Sequence, residues 1–248
     1  MEFCGAHILS VKQFERSDVD RVFDVADSMV PYARRERITK VLEGAILGNM
    51  FFEPSTRTRV SFGCAFNLLG GQVRETADVN TSSMSKGESL YDTARVLSGY
   101  SDIIVMRHPQ MGSVSEFAKA SRVPVVNGGD GPNEHPSQAL LDLYTIKKEL
   151  LSNDRQIDGM NIAMIGDLKH GRTVHSLSQL LLLYDNITFT LISPQELKMP
   201  AEIVSELTAG GHKVIETEDM EAGLNDNDTV YLTRIQEERF TTKLEADI

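Results

Sequence analysis

Basic and hydroxyl side chains gather where apolar runs of this sequence give way to helical patterns. Glu53-Pro54-Ser55-Thr56-Arg57-Thr58-Arg59 is one such place. The first turn of a helix exposes unpaired N–H groups and the positive end of the helix dipole, so an arginine is disfavoured there unless an anion sits beside it. Free N–H groups, hydroxyls and a guanidinium together make a phosphate site. The plainer alternative is a capped helix with arginine in its first turn. Gly166-Asp167-Leu168-Lys169-His170-Gly171-Arg172-Thr173 is another. It nearly matches a P-loop, with Arg172 in the lysine position. Arginine offers a planar fork suited to a carboxylate, whereas a P-loop lysine is a point charge on the β/γ-phosphates. The segment therefore reads as an anion site, with a P-loop-like nucleotide binder as its rival. His170 and His175 lack the spacing and the glutamate of a zinc hydrolase.

Further segments gain meaning only beside these. Met106-Arg107-His108-Pro109 ends a predicted strand and alone is a surface arginine before a turn. In Gly128 to Gln138, Pro136 suits the first helical position, which places His135 at the cap and Gln138 at the third helical residue. A histidine and an amide there can hydrogen-bond a carbonyl and an amine of a small substrate; a plain capping histidine is the alternative. Ser82 to Glu88, with Lys86, reads as a polar loop. Thr233-Arg234-Ile235-Gln236 follows a predicted strand and alone is a charged loop.

The elements that must position these residues alternate. The sequence reads as two helical patterns ahead of the first strand, with Val19, Val22, Phe23 and Ala26 following a cap at Ser17-Asp18. Strands are expected at 44–52, 102–106, 123–126, 161–166, 187–191, 213–215 and 228–232. Helices are expected around 62–69, 90–97, 113–121, 136–150, 172–184 and 201–209. Such alternation implies two open parallel α/β sheets, with ligands beyond the carboxyl ends of the strands. The polar run Ser152-Asn153-Asp154-Arg155-Gln156 divides the chain into domains 1–150 and 151–248.

Composition sets limits. The 248 residues hold 25 Lys+Arg against 36 Asp+Glu, a formal net charge of −11. That acidity excludes the basic face a nucleic-acid binder needs and disfavours anionic membranes. No apolar run approaches the roughly 20 residues of a membrane span. Two cysteines, Cys4 and Cys64, cannot build a disulfide framework or a four-ligand zinc site, which points to a reducing, cytoplasmic setting.

Taken in order, Phe51 to Arg59, Met106 to Pro109, His135-Pro136-Ser137-Gln138, Gly166 to Ser176 and Thr233 to Gln236 closely resemble the aspartate carbamoyltransferase family over nearly the whole chain. The Ser-Thr-Arg-Thr and His-Pro-x-Gln elements are shared with ornithine carbamoyltransferases, the neighbouring alternative. The Lys86 loop, the Gly166 to Arg172 segment and Thr233 to Gln236 point to aspartate. The resemblance implies a carbamoyltransferase fold, with an N-terminal carbamoyl phosphate domain and a C-terminal aspartate domain. It implies carbamoyl transfer from carbamoyl phosphate to L-aspartate, an early step of pyrimidine biosynthesis, with no metal or organic cofactor. On this resemblance Ser55, Thr56, Arg57 and Thr58 hold the phosphate, and Arg107 bridges phosphate and carbonyl. Thr58, Arg107 and His135 stabilise the carbonyl oxygen, Gln138 binds the carbamoyl NH2 group, and Arg172, Arg234 and Gln236 hold the aspartate carboxylates. Ser82 and Lys86 reach the neighbouring subunit's site in a homotrimer, to which a regulatory chain can bind. The family continues past Thr-Arg-Ile-Gln with a His-Pro-Leu-Pro motif and a closing helix, whereas this sequence ends at Ile248. The second domain is therefore expected to be incomplete, and a non-catalytic chain that trimerises without turnover is the remaining alternative.

Overall fold

A strand whose sheet has helices on both faces is buried along nearly its whole length, and Ile46–Phe51 (β1) is buried in all but its first residue, with Asn49 as its one polar side chain. The computed structural model describes residues 1–76, 83–236 and 240. In it β1 pairs in parallel with Gln72–Thr76 (β2) on one side and Ile103–His108 (β3) on the other, and Val125–Asp130 (β4) completes a sheet of order β2-β1-β3-β4. The two-residue period of a strand sends Leu47, Phe51 and Val105 to one face, against Phe62 and Phe66 of helix α2 (Thr56–Leu68). Met50, Ile104 and Met106 go to the other, against Val114 and Phe117 of α4 (Ser113–Ala120). Helices α1 (Arg16–Ala33) and α3 (Leu90–Leu97) complete this unit, Met1–Ser137.

The second unit, Gln138–Ile248, repeats the plan. Asn161–Ile165 (β5), Thr188–Ile192 (β6), Lys213–Thr217 (β7) and Thr229–Leu232 (β8) form a parallel sheet of order β7-β6-β5-β8. Ile162, Ala163 and Met164 of β5 are wholly buried. Its helices are α5 (Pro136–Ser152), α6 (Arg172–Leu181), α7 (Ala201–Ala209) and α8 (Met220–Leu224). The division between units falls in the first turn of α5, whereas the polar run 152–156 lies where that helix ends.

Some local details depart from the sequence reading, each for a physical reason. One α-helix, not two, precedes β1, after a single 3-10 turn at Val11–Gln13. The cap of α1 is Glu15 rather than Ser17-Asp18: Asp18 is the third helical residue, and its Oδ2 accepts the Glu15 N–H at 2.8 Å. The sequence reading contains neither β2 nor α8. β2 is an edge strand with mostly exposed side chains and so has no apolar run; α8, at five residues, is too short to show a period. Cys4 and Cys64 are both free and exposed. Among the described residues no helix is long and apolar enough to cross a membrane.

One buried imidazole makes stability of the second unit pH-dependent. His212 accepts the Ile187 N–H on Nδ1 at 3.2 Å, packs edge-on to Phe189, and its buried Nε2 has no partner among the described residues. Burial holds its pKa below the ordinary histidine value of 6.5. The unfolded chain therefore takes up the proton first as pH falls, and stability drops below pH 6.5. Above that value neither state carries the proton and the contribution is full. His212→Asn keeps an acceptor for Ile187 without a titrating ring. Thermal melts should show the wild type losing stability relative to this variant from pH 6.5 downward; parallel curves would refute the assignment.

Candidate active site

In an open parallel sheet, the crevice for a ligand opens where the strand order reverses, beyond the carboxyl ends. The first sheet reverses between β1 and β3, and the second between β5 and β8. Every motif singled out for anion chemistry, the Lys86 loop excepted, leaves the end of one of these four strands or follows β4. The helix starts agree. Acidic residues, which suit the positive end of the dipole, occupy the first turns of α1, α3, α4, α7 and α8. α2, α5 and α6 have none. These are the three helices that begin at Ser55-Thr56, His135-Pro136 and Gly171-Arg172.

In the first unit, Ser55 is the N-cap of α2 in extended backbone, and its side chain makes no capping hydrogen bond. Thr56, Arg57 and Thr58 form the first turn, with Arg57 exposed and Thr58 half-buried. Arg107 stands opposite Phe51 in the β1–β3 register, and its carbonyl accepts the Phe52 N–H at 2.8 Å. Its side chain is 13% exposed, and Nε donates to Glu53 Oε2 at 2.9 Å. The structure thus brings Arg107 against the loop that carries Ser55 to Thr58. Glu53 has no role in the sequence reading; it holds the guanidinium in place. His135 follows β4, is 4% exposed, and has Nδ1 3.3 Å from Ser137 Oγ. Lys86, exposed, ends a 3-10 turn, Ser83–Lys86. Ser82 lies outside the described residues.

In the second unit, two backbone segments cross closely. Gly166 has φ +109°, and a Cβ there would lie 2.5 Å from the Thr233 carbonyl oxygen, so a side chain is excluded. Asp167 is wholly buried and takes the His170 N–H at 2.9 Å, the His170 ring Nδ1 at 3.1 Å and the Gln236 N–H at 3.1 Å. It therefore staples the loop after β5 to the segment after β8. Arg172, 7% exposed, opens α6 from one side of this staple; Arg234, exposed, and Gln236, half-buried, lie on the other. Gln138 is the third residue of α5, and its Nε2 donates to Asp142 Oδ1 at 2.8 Å. The loop is no phosphate cradle. The Leu168 N–H goes to the Gly166 and Leu197 carbonyls, His170 N–H to Asp167 and Arg172 N–H to the His170 carbonyl. A P-loop needs such groups turned outward. Among the described residues no group of three or more His, Cys, Asp or Glu is placed to hold a metal ion.

Two family models account for most of the chain. Residues 6–148 match the aspartate/ornithine carbamoyltransferase carbamoyl-P binding domain, and residues 158–247 match the Asp/Orn binding domain of the same family. The chain belongs to the aspartate/ornithine carbamoyltransferase family. The first match contains Ser55 to Thr58, Arg107, His135 and Gln138; the second contains Arg172, Arg234 and Gln236. Within the family, the chain is 69% identical over 247 residues to the aspartate carbamoyltransferase catalytic subunit of Cellvibrio japonicus, covering all of this chain and 73% of that one. It is 68% identical to that of Saccharophagus degradans, covering 74% of it. The catalytic subunit of M. jannaschii aspartate transcarbamoylase superposes with a TM-score of 0.88 at 46% identity, over 97% of this chain and 78% of that one. Aspartate transcarbamoylase from Trypanosoma cruzi, in complex with carbamoyl phosphate and aspartate, gives 0.89 at 39% identity, over 98% and 76%.

Proposed function

We infer that this carbamoyltransferase moves the carbamoyl group of carbamoyl phosphate to the amine of L-aspartate, giving N-carbamoyl-L-aspartate and phosphate. The observation that carries the reading is the placement of arginines at both sheet reversals, beside helix starts free of acidic residues. Each unit thereby offers an anion site, and the reaction joins two anions. The relatives at 69% and 68% identity support aspartate rather than ornithine as acceptor.

In this reading Ser55, Thr56, Arg57 and Thr58 hold the phosphate, and Arg107 spans phosphate and carbonyl oxygen. Arg172, Arg234 and Gln236 take the aspartate carboxylates, and Gln138 the carbamoyl NH2. The aspartate amine attacks the carbonyl carbon, the C–O bond to phosphate breaks, and the departing phosphate takes the amine proton. Thr58, Arg107 and His135 donate to the oxygen that becomes negative on the way. A Ser137 hydroxyl donating to His135 Nδ1 would keep the ring proton on Nε2, the tautomer such donation needs. Holding both substrates in place is worth roughly 7–11 kcal/mol of the barrier. Ser82 and Lys86 serve the site of a neighbouring subunit in a cytoplasmic homotrimer, with a regulatory chain as a further partner.

The test is direct. Carbamoyl aspartate and phosphate should form only when carbamoyl phosphate and aspartate are both supplied. Turnover of ornithine at an equal or higher rate would overturn the choice of acceptor.

A further inference from the structure

The Gln138 amide has two ends of opposite hydrogen-bonding character, and its use as a carbamoyl ligand depends on which end meets the substrate. A carbamoyl NH2 group needs an acceptor, so Oε1 must face it and Nε2 must turn away. Asp142 lies one helical turn along α5 and receives Nε2 on Oδ1 at 2.8 Å. A carboxylate only accepts, so the amide cannot reverse without placing two oxygens together. The other carboxylate oxygen is engaged as well: the Tyr231 hydroxyl donates to Oδ2 at 2.7 Å. Burial pushes the Tyr231 phenol up, which keeps it a donor. Tyr231 sits on β8 three residues before Arg234.

We propose that Asp142 is a positioning residue, which fixes the Gln138 amide for carbamoyl recognition and, through Tyr231, ties it to the strand that leads to Arg234. The proposal rests on the assignment of Gln138 to the carbamoyl group. It differs from a plain packing role in one respect: the effect of Asp142 on substrate must pass through Gln138.

A double-mutant cycle in the full chain tests this. Asp142→Asn keeps the shape but turns one acceptor oxygen into a donor, so Gln138 and Tyr231 no longer each have an oxygen to donate to. Carbamoyl phosphate binding, followed by calorimetry without aspartate, should weaken about tenfold, as should kcat/KM for carbamoyl phosphate. In the Gln138→Ala background the same change should cost nothing further. Tyr231→Phe removes one donor and leaves the carboxylate in place. It should weaken binding about threefold, and that loss too should vanish with Gln138→Ala. Should Asp142→Asn lose its cooperative melt, Tyr231→Phe carries the cycle. Losses that multiply in full would overturn the proposal, as would Asp142→Asn binding within twofold of wild type. Gln138→Ala binding within twofold of wild type is a separate result, which removes the Gln138 assignment itself.

Discussion

Arg107→Ala is expected to lower kcat about a thousandfold and leave the fold intact. One donor aimed at a developing oxyanion is worth about 10²–10³ in kcat. Arg107 serves two negative groups in the proposed reaction, the departing phosphate and the carbonyl oxygen, so its loss falls at the upper end. The cost to stability is small. Its partner Glu53 is 23% exposed, so water can reach the carboxylate once the guanidinium is gone. Arg107→Lys separates charge from geometry. Lysine restores the charge but not the fork that can reach two oxygens in one plane, and an intermediate loss is expected. Steady-state rates at saturating substrates, with thermal melts of each variant, measure both parts. A kcat within tenfold of wild type in Arg107→Ala would remove Arg107 from the reaction.

Arg107 also shows what a linear reading reaches. It ends an apolar strand, and the same is true in outline of Ser55 to Thr58 and Arg172: a buried strand stops, a helix begins, and a cation stands where an acid belongs. Strand, helix start and missing acid are all local in sequence, so these residues and the sheets behind them are legible there. β2 is not, because an edge strand with exposed side chains has no apolar signature. The two carboxylates that gather donors from distant segments are not legible for another reason. Asp167 acquires its role from Gln236, 69 residues away, and Asp142 from Tyr231, 89 residues away. Only the Gln138–Asp142 spacing of four, one turn of a helix, hints at a pair. A carboxylate within a loop motif looks like any solvated acid until the fold supplies its donors.

For Asp167 the consequence is large. Asp167→Asn should raise the KM for aspartate about a hundredfold while carbamoyl phosphate binding, measured without aspartate, changes little. The native carboxylate accepts from two backbone N–H groups and a ring nitrogen. An amide of the same size must turn its NH2 toward one of them, which breaks a bond and buries an unpaired donor at about 1–3 kcal/mol. The loop before Arg172 and the segment bearing Arg234 and Gln236 then come apart in most molecules. If only about one molecule in a hundred keeps them joined, apparent affinity for aspartate falls by that factor. Gly166→Val attacks the same junction by sterics alone, since its Cβ would lie 2.5 Å from the Thr233 carbonyl oxygen. Two unrelated perturbations, one of hydrogen bonding and one of space, should therefore give one kinetic signature, a loss confined to aspartate. An Asp167→Asn enzyme with aspartate KM within threefold of wild type would show that the carboxylate holds the fold and not the site.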